Sequence, residues 1–443
     1  RDDIDRIVEA TDMALTRAPA LQDHLGRRDD PRLTKLPGGR DDLCLAYTPG
    51  VAQPVKAIAA APEDLYRYTA KPNLVAVVSD GTAILGLGDL GPAASIPVME
   101  GKAVLFKAFG DVDGWPVPLA RCRRDGRDDG PTDVERVIDA VCALAPMYGG
   151  INLEDIAAPA CFEIEDRLDE LLDIPVFHDD QWGTAVITLA GIMNYCVLSD
   201  RRMEELSVVI NGAGAAGIRI AELLKADGAG RVILCDSRGV VSADRADLSP
   251  KKREHAVATP VRTVQDAMRG AHVFIGVSVA DCIDAEAVSA MAAYPAIFAM
   301  ANPDPEIRPE RVAEALGPKP YVMATGRSDY PNQVNNVLGF PFLFRGALDM
   351  RARCINQHMK VAAARALAAI AREPVPDAVC ELYGGEALGF GPGYVIPKPF
   401  DRRLFVEVSA SVGQAAVESG CAAGAAAGYR ALLEQLNAVR SGG

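Results

Sequence analysis

The sequence predicts two successive α/β domains, the second built on a doubly wound parallel sheet, with C-terminal helices packing back across them. Two stretches carry that prediction. ELSVVINGAGAAGIRIAELL sets a glycine-rich turn between a strand-like run and a helical one, and RVILCD, AHVFIGVS, AIFAMANPDPEI and YVMATGRSD follow as further strand-like runs. Repeated αβ units of this kind build a parallel sheet with helices on both faces. The other stretch, Gly149 to Ala185, holds two short apolar runs (Ile151 and Leu153; Ile174, Val176 and Phe177), each ending in an acidic pair. Between them Ile164, Leu168, Leu171 and Leu172 recur at helical spacing, so the unit reads as β-α-β.

At 443 residues the chain exceeds one ordinary core, and we divide it at 1–195, 196–355 and 356–443. The net charge of -14 argues against nucleic-acid or anionic-membrane partners, because phosphate contacts need clustered Lys and Arg. A small anionic substrate must then be held by local positive groups. Ten cysteines without a C-x-x-C pair read as the thiols of a reducing cytosol. The first residues, RDDIDRIVEA, carry no apolar signal core, and no apolar run approaches a bilayer span, so the expectation is a cytoplasmic protein. The five histidines form no H-x-x-x-H or Cys/His cluster, which argues against zinc.

Residues 1–45 show helical periodicity, and Tyr47 then precedes a Pro-Gly turn and a new helix. In LVAVVSDGTAILGLGDLGP short β-rich runs alternate with glycines, as in a strand, a tight turn and a second short strand. The helix after Pro97 puts Val98, Lys102, Leu105, Phe106 and Phe109 on one face. A lysine on such a stripe either snorkels to the surface or is held near a partner acid, where its pKa can be tuned for general-base work. RCRRDGRDDGPTD reads as a mobile surface loop or an insertion, and no function is assigned to it.

Strands joined by a helical crossover run parallel, so Glu154-Asp155 and Asp179-Asp180 should emerge at the same sheet edge, where open α/β sheets bind ligands. Carboxylates converging there repel one another unless a hard cation sits between them, and oxygen ligands suit Mg2+ or Mn2+. Solvated acids capping loops would give the same pattern. The next helix, GTAVITLAGIMNYCVLSD, bridges the two domains.

Gly212, Gly214 and Gly217, with Ala215 and Ala216 between them, form a G-x-G-x-x-G turn between strand and helix, and Asp236 ends the following strand. In that setting the motif specifies a Rossmann-type fold: the first glycine permits the turn, the second admits a pyrophosphate, and the third lets helix and strand pack. The helix N-terminus attracts the phosphates. Asp236 suits a ribose 2'-hydroxyl and hence NAD, whereas Ser237 and Arg238 suit a 2'-phosphate and hence NADP, so both remain open. Gly276, Ser278 and Asn302 end later strands and line the same cleft; Asn335 and Asn336 open a helix, as caps also do.

Nine ordered blocks, AYTPGVA, DGTAILGLGDLGP, MEGKAVLFKAF, GGINLEDIAAPACF, FHDDQWGTAV, VINGAGAAG, CDSRGV, ANPDPEI and IPKPFDRRL, resemble those of the malic enzymes, specifically the compact bacterial type. The resemblance implies an N-terminal α/β substrate domain, a Rossmann-type NAD(P)-binding domain and a homodimer. It also implies oxidative decarboxylation of L-malate to pyruvate and CO2 with NAD or NADP and Mg2+ or Mn2+. Tyr47 then resembles the general acid and Lys102 the general base, with Asp179 paired to the lysine. Glu154, Asp155 and Asp180 resemble the metal ligands, and Asn302, Asn335 and Asn336 substrate contacts. The end of the chain lies near that of the compact enzymes, which implies no acyltransferase-like extension. Two positions depart from the pattern: Ala83 stands where animal-type relatives hold a malate carboxylate with arginine, and Trp182 where compact relatives often have His.

Two other readings stay in play. A malolactic-type lyase would regenerate a tightly held NAD, and net NAD(P)H absorbance with malate would exclude it. A non-catalytic dinucleotide sensor would tolerate loss of Lys102.

Overall fold

The computed structural model describes residues 49–84, 87–126, 129–422 and 426–441. Tyr47 and the helical periodicity of residues 1–45 lie outside the described residues. In the first half β1 (Leu74–Ser79), β2 (Asp113–Pro118), β3 (Gly150–Leu153) and β4 (Val176–His178) form a parallel sheet in the order β2-β1-β3-β4. Parallel strands need crossovers, and α1 (Pro92–Gly110), α2 (Val134–Leu144) and α3 (Ala160–Leu171) supply them. Every residue of β1, β3 and β4 is buried, as expected of strands covered on both faces.

The second sheet holds β5 (Ser207–Asn211), β6 (Arg231–Asp236), β7 (Gly239–Val240), β8 (Val273–Gly276), β9 (Ala296–Ala299) and β10 (Val322–Thr325), in the order β10-β9-β8-β5-β6-β7. Only the β6-β7 pair is antiparallel. The order reverses between β5 and β8, which opens a crevice at their carboxyl ends. Within β5 the faces alternate: Val208 and Ile210 belong to the main core, whereas Val209 belongs to a smaller core with Ile233, Phe274 and Ile297 on the opposite side.

Between the sheets runs α4 (Thr184–Ser199), packed against α5 (Ala215–Ala226). The chain returns through α6 (Phe340–Asp349), α7 (Gln357–Arg372) and α8 (Arg403–Glu418). Helix α7 lies on α4, where Asn194 Nδ2 donates to Ala368 O at 3.0 Å and Val395 O at 2.8 Å. Helix α6 packs on both α1 and α8, so the division at 355 falls within one continuous core. Phe106 of α1 meets Phe340 and Phe344 of α6 edge-to-face, with centroids 4.7 and 5.2 Å apart. Such pairs contribute about 0.5–1.5 kcal/mol beyond area burial and fix the helix on which Lys102 rides.

Several expectations are corrected. After β1, residues 81–84 and 87–91 form no second strand: the loop closes on itself, with Ile84 N donating to Gly88 O and Gly91 N to Gly81 O. The segment after Arg121 is not only surface, because Arg123 is 1% exposed and its Nη2 donates to Asp89 Oδ1 at 2.9 Å and Asp80 O at 2.7 Å. Helix α1 buries Ser95, Met99, Ala103 and Phe106 most deeply, Val98, Leu105 and Phe109 of the predicted face pack partly buried against the same core, and Lys102 sits on the flank of that stripe. Leu171 ends α3 and is exposed. Cys354 and Cys421 lie side by side, their Cα atoms 6.3 Å apart, within reach of pairing. The helical stretch Asp179–Ser199 is by length and composition apolar enough to cross a membrane, and it serves as the buried helix between the sheets.

Candidate active site

Leu153 of β3 is in register with His178 of β4, so Glu154-Asp155 and Asp179-Asp180 leave adjacent strands side by side. Asp155 takes the left-handed conformation, φ 53°, which short polar residues tolerate, and its amide donates to Asp180 Oδ2 at 2.8 Å. Asp179–Gly183 makes one π-helical turn before α4, a local widening often found at functional positions. Carboxylate oxygens of Glu154, Asp155 and Asp180 all lie within 4.8 Å of one another. Asn152 Nδ2 fixes Glu154 Oε2 at 2.8 Å. Three hard oxygen donors at this spacing fit a divalent cation such as Mg2+ or Mn2+.

Lys102 reaches this cradle from α1. Its Nζ lies 2.6 Å from Asp179 Oδ2 and 2.9 Å from Glu154 Oε1, and 4.4 Å from the centroid of the Phe340 ring. Burial alone would lower the lysine's pKa, but Asp179 and Glu154 outweigh it and hold the ammonium above its ordinary value. Burial likewise pushes Glu154, Asp179 and Asp180 above the usual carboxylate range, against the pull of Lys102. Asn336 Nδ2 donates to Asp179 Oδ2 at 3.1 Å, and Thr184 Oγ1 to Asn336 Oδ1 at 3.1 Å. The neighbouring Asn335 instead caps its own helical turn by accepting from Val337 N.

The loop that contains Ala83 closes one side of the cradle: Ala83 N donates to Asp155 O at 2.9 Å, and Thr82 Oγ1 accepts from Ala157 N at 2.8 Å. Trp182 is 8% exposed and donates its indole N–H to Glu165 Oε2 at 3.0 Å. Its ring is packing material.

At the dinucleotide turn the three glycines differ. A Cβ on Gly212 (φ 122°) would meet Val277 O at 2.3 Å and one on Gly217 would meet Gly212 O at 1.7 Å, whereas Gly214 has nothing within 4 Å. The first and third therefore hold the turn together, and the second leaves room where a pyrophosphate belongs. Ala215 and Ala216 form the first turn of α5, whose N-cap carries no side-chain bond. Across the crevice Gly276 abuts Glu306, which accepts from Ser278 N at 2.7 Å and Ala301 N at 3.0 Å and so fixes the loops after β8 and β9. Asn302 follows at the exposed rim, beside Gly326.

Asp236 ends β6 as predicted but is not free. Arg245 grips it through two bonds of 2.8 and 3.0 Å, and Lys252 Nζ adds one of 2.8 Å. Burial opposes its ionisation, yet these bonds prevail and lower its pKa to about 2. Ser237 and Arg238 form the turn into β7, and the exposed Arg238 pairs with Asp247.

Sequence reasoning missed Arg123, Glu165, Arg219, Arg245, Lys252 and Glu306. A charged residue inside the apolar run of IRIAELL was the one available signal, for Arg219.

A glycine-turn nucleotide crevice joined through a helix to a carboxylate cradle defines the class as a two-sheet α/β protein with a Rossmann-type dinucleotide domain. Family comparison makes the class specific: the malic enzyme N-terminal domain matches residues 37–169 and the malic enzyme NAD binding domain residues 182–380. The chain belongs to the malic enzyme family. It is 50% identical over 443 residues to an NADP-dependent malic enzyme of Rhizobium meliloti (strain 1021), covering 98% of this chain and 56% of that one. To an NADP-dependent malic enzyme of Halomonas elongata it is 52% identical over 392 residues, covering 88% and 90%. The chain thus spans little more than half the length of the first of these relatives. The malic enzyme crystal structure from Pyrococcus horikoshii superposes with a TM-score of 0.80 at 38% identity, covering 93% of this chain and 92% of that chain.

Proposed function

We propose that this chain catalyses the oxidative decarboxylation of L-malate to pyruvate and CO2 with reduction of NAD(P)+, dependent on a divalent metal. The observation that carries the reading is the contact of Lys102 with Asp179 and Glu154 at the edge of the three-carboxylate cradle. Glu154, Asp155 and Asp180 would hold Mg2+ or Mn2+. When bound, that ion supplies Lewis acidity to the substrate hydroxyl and charge stabilisation to the enolate. NAD(P)+ in the β5-β8 crevice supplies the hydride acceptor.

Once it has given up the proton that the neighbouring acids favour, the neutral Lys102 Nζ would take the proton of the C2 hydroxyl as the C2 hydride passes to NAD(P)+, and Asp179 would keep the lysine aimed at that oxygen. The C3–C4 bond of the 2-oxo acid then breaks and releases CO2. Tyr47, by family resemblance, directs the proton back to C3 of the enolate, which yields pyruvate. Asn336 holds Asp179 in place, and Asn302 and Asn335, by family resemblance, would contact the substrate.

At the ribose end, three cations (Arg238, Arg245 and Lys252) surround two acids (Asp236 and Asp247), which favours the 2'-phosphate of NADP. A homodimer in the cytoplasm is the expected assembly, by family analogy. A spectrophotometric matrix of malate with each dinucleotide, with and without metal, tests the reaction. Asp180→Asn should abolish metal-dependent turnover and leave the dinucleotide affinity measured without metal within about twofold of the wild type. Equal loss of both would defeat the assignment.

A further inference from the structure

Arg219 lies on α5, five residues past Gly214, and is 4% exposed. Its guanidinium leaves the dinucleotide domain and enters the acid-bearing turn: Nε donates to Gln181 Oε1 at 2.8 Å and Nη2 to Glu165 Oε2 at 3.2 Å. Glu165, itself 4% exposed, passes the grip on, since its Oε1 accepts from His178 N at 2.9 Å and its Oε2 from the Trp182 indole at 3.0 Å. The guanidinium also lies 4.6 Å from the centroid of the Trp182 ring. The segment 178–182 is therefore held at three points, with Asp179 and Asp180 between them.

We propose that Arg219, acting through Glu165 and Gln181, is a positioning residue that couples dinucleotide occupancy to the metal-and-lysine site. The inference rests on the malic-enzyme reading above. The helix whose N-terminus receives the pyrophosphate is rigidly tied to the turn that carries one metal ligand and the partner of Lys102. A ligand that fixes either end thereby restricts the other. Plain structural bracing accounts poorly for the arrangement, because buried ion pairs are often no more stabilising than apolar residues of the same volume. Their better-attested use is to select one geometry.

Coupling of this kind is reciprocal: whatever factor the dinucleotide contributes to metal affinity, the metal contributes to dinucleotide affinity. The test is a linkage cycle on the full chain. Mn2+ binding is read from the paramagnetic resonance of free Mn2+ with and without saturating NADP+, and NADP+ binding with and without Mn2+. The wild type should show mutual tightening of about 5- to 150-fold. In Arg219→Gln the factor should fall to within about twofold of unity, with cooperative melting retained. Arg219→Lys keeps the charge but loses the planar fork, so it should not restore the factor. Should Arg219→Gln fail to fold, Gln181→Ala removes the contact of Arg219 to the turn, together with the bond from Gln181 to Cys161 O, and should reduce the factor as well. No Mn2+ binding in the wild type would overturn the metal reading itself. Binding of both ligands with a factor of one, or an undiminished factor in the variants, would overturn the coupling alone.

Discussion

Lys102 Nζ and Asp179 Oδ2 lie 2.6 Å apart, a contact that joins the middle of α1 to the turn after β4. The pair bridges a sequence separation of 77 residues and depends on the aromatic seat of Phe106, Phe340 and Phe344 beneath α1.

Loss of the lysine separates two half-reactions. Lys102→Ala should slow malate oxidation by about 10²- to 10⁴-fold, the usual contribution of a positioned base. Decarboxylation of free oxaloacetate begins after the lysine's proton transfer and should fall by much less. Steady-state rates of the two reactions on one preparation check this, and equal losses would remove the base assignment.

The second and third glycines of the dinucleotide turn should answer differently. In Gly217→Ala the new methyl meets the backbone carbonyl of Gly212, which cannot yield without moving the turn. Overpacking of that kind costs about 1–3 kcal/mol, measurable by urea unfolding. Gly214→Ala meets open space and has an ordinary backbone, φ -91°, so stability should hold within about 0.5 kcal/mol. Its effect falls on the ligand: the dinucleotide Kd should rise on the order of tenfold, or about 1.4 kcal/mol. A destabilised Gly214→Ala with unchanged Kd would contradict the division of labour.

The contrast shows what local pattern carries. The β-α-β reading of Gly149 to Ala185 sufficed to place Glu154 beside Asp180, because parallel register is a consequence of the crossover. The glycine turn was legible for the same reason. Glu165 was not, since it looks like an ordinary helix residue; Arg219 showed only as a charge within an apolar run, and their meeting depends on how two sheets pack around α4. Arg123 was misread as surface because its partners, Asp80 and Asp89, lie in a loop whose closure has no periodic signature. The fate of Asp236 was hidden too: Arg245 comes from the irregular chain after β7 and Lys252 from the short helix Pro250–Arg253 beyond it.

That grip on Asp236 yields a cofactor prediction. Lys252→Ala removes one of the charges available to a 2'-phosphate, and charged hydrogen bonds are typically worth about 1.5–3 kcal/mol. KM for NADP+ should therefore rise about 10- to 100-fold while KM for NAD+ stays within about twofold. Measured kcat/KM for both dinucleotides decides it, and parallel changes would mean that Lys252 only braces Asp236.

Lys360 offers a pH test with a definite sign. It is 7% exposed on α7, with Nζ 3.5 Å from the centroid of the Trp182 ring. Burial lowers its pKa to about 8; Glu165, Asp169 and Glu222 pull upward and Arg219 pushes further down. An unfolded lysine titrates near 10.4, so between these values the unfolded chain binds more protons and the native state gains stability as pH rises. Below pH 8 the cost of the buried charge is fully present, and above about pH 10.5 it has gone. Lys360→Met removes that cost, which is at most about 3 kcal/mol for the shift, and also removes an attraction to Trp182 of about 2 kcal/mol. The variant should then be more stable than the wild type at pH 7 by about 1 kcal/mol, and this margin should shrink toward zero by pH 10, where the buried charge and its attraction to the ring have both gone. Paired urea unfolding curves from pH 7 to 10 measure it. A margin that stayed constant or widened would mean that Lys360 does not change its charge in this range.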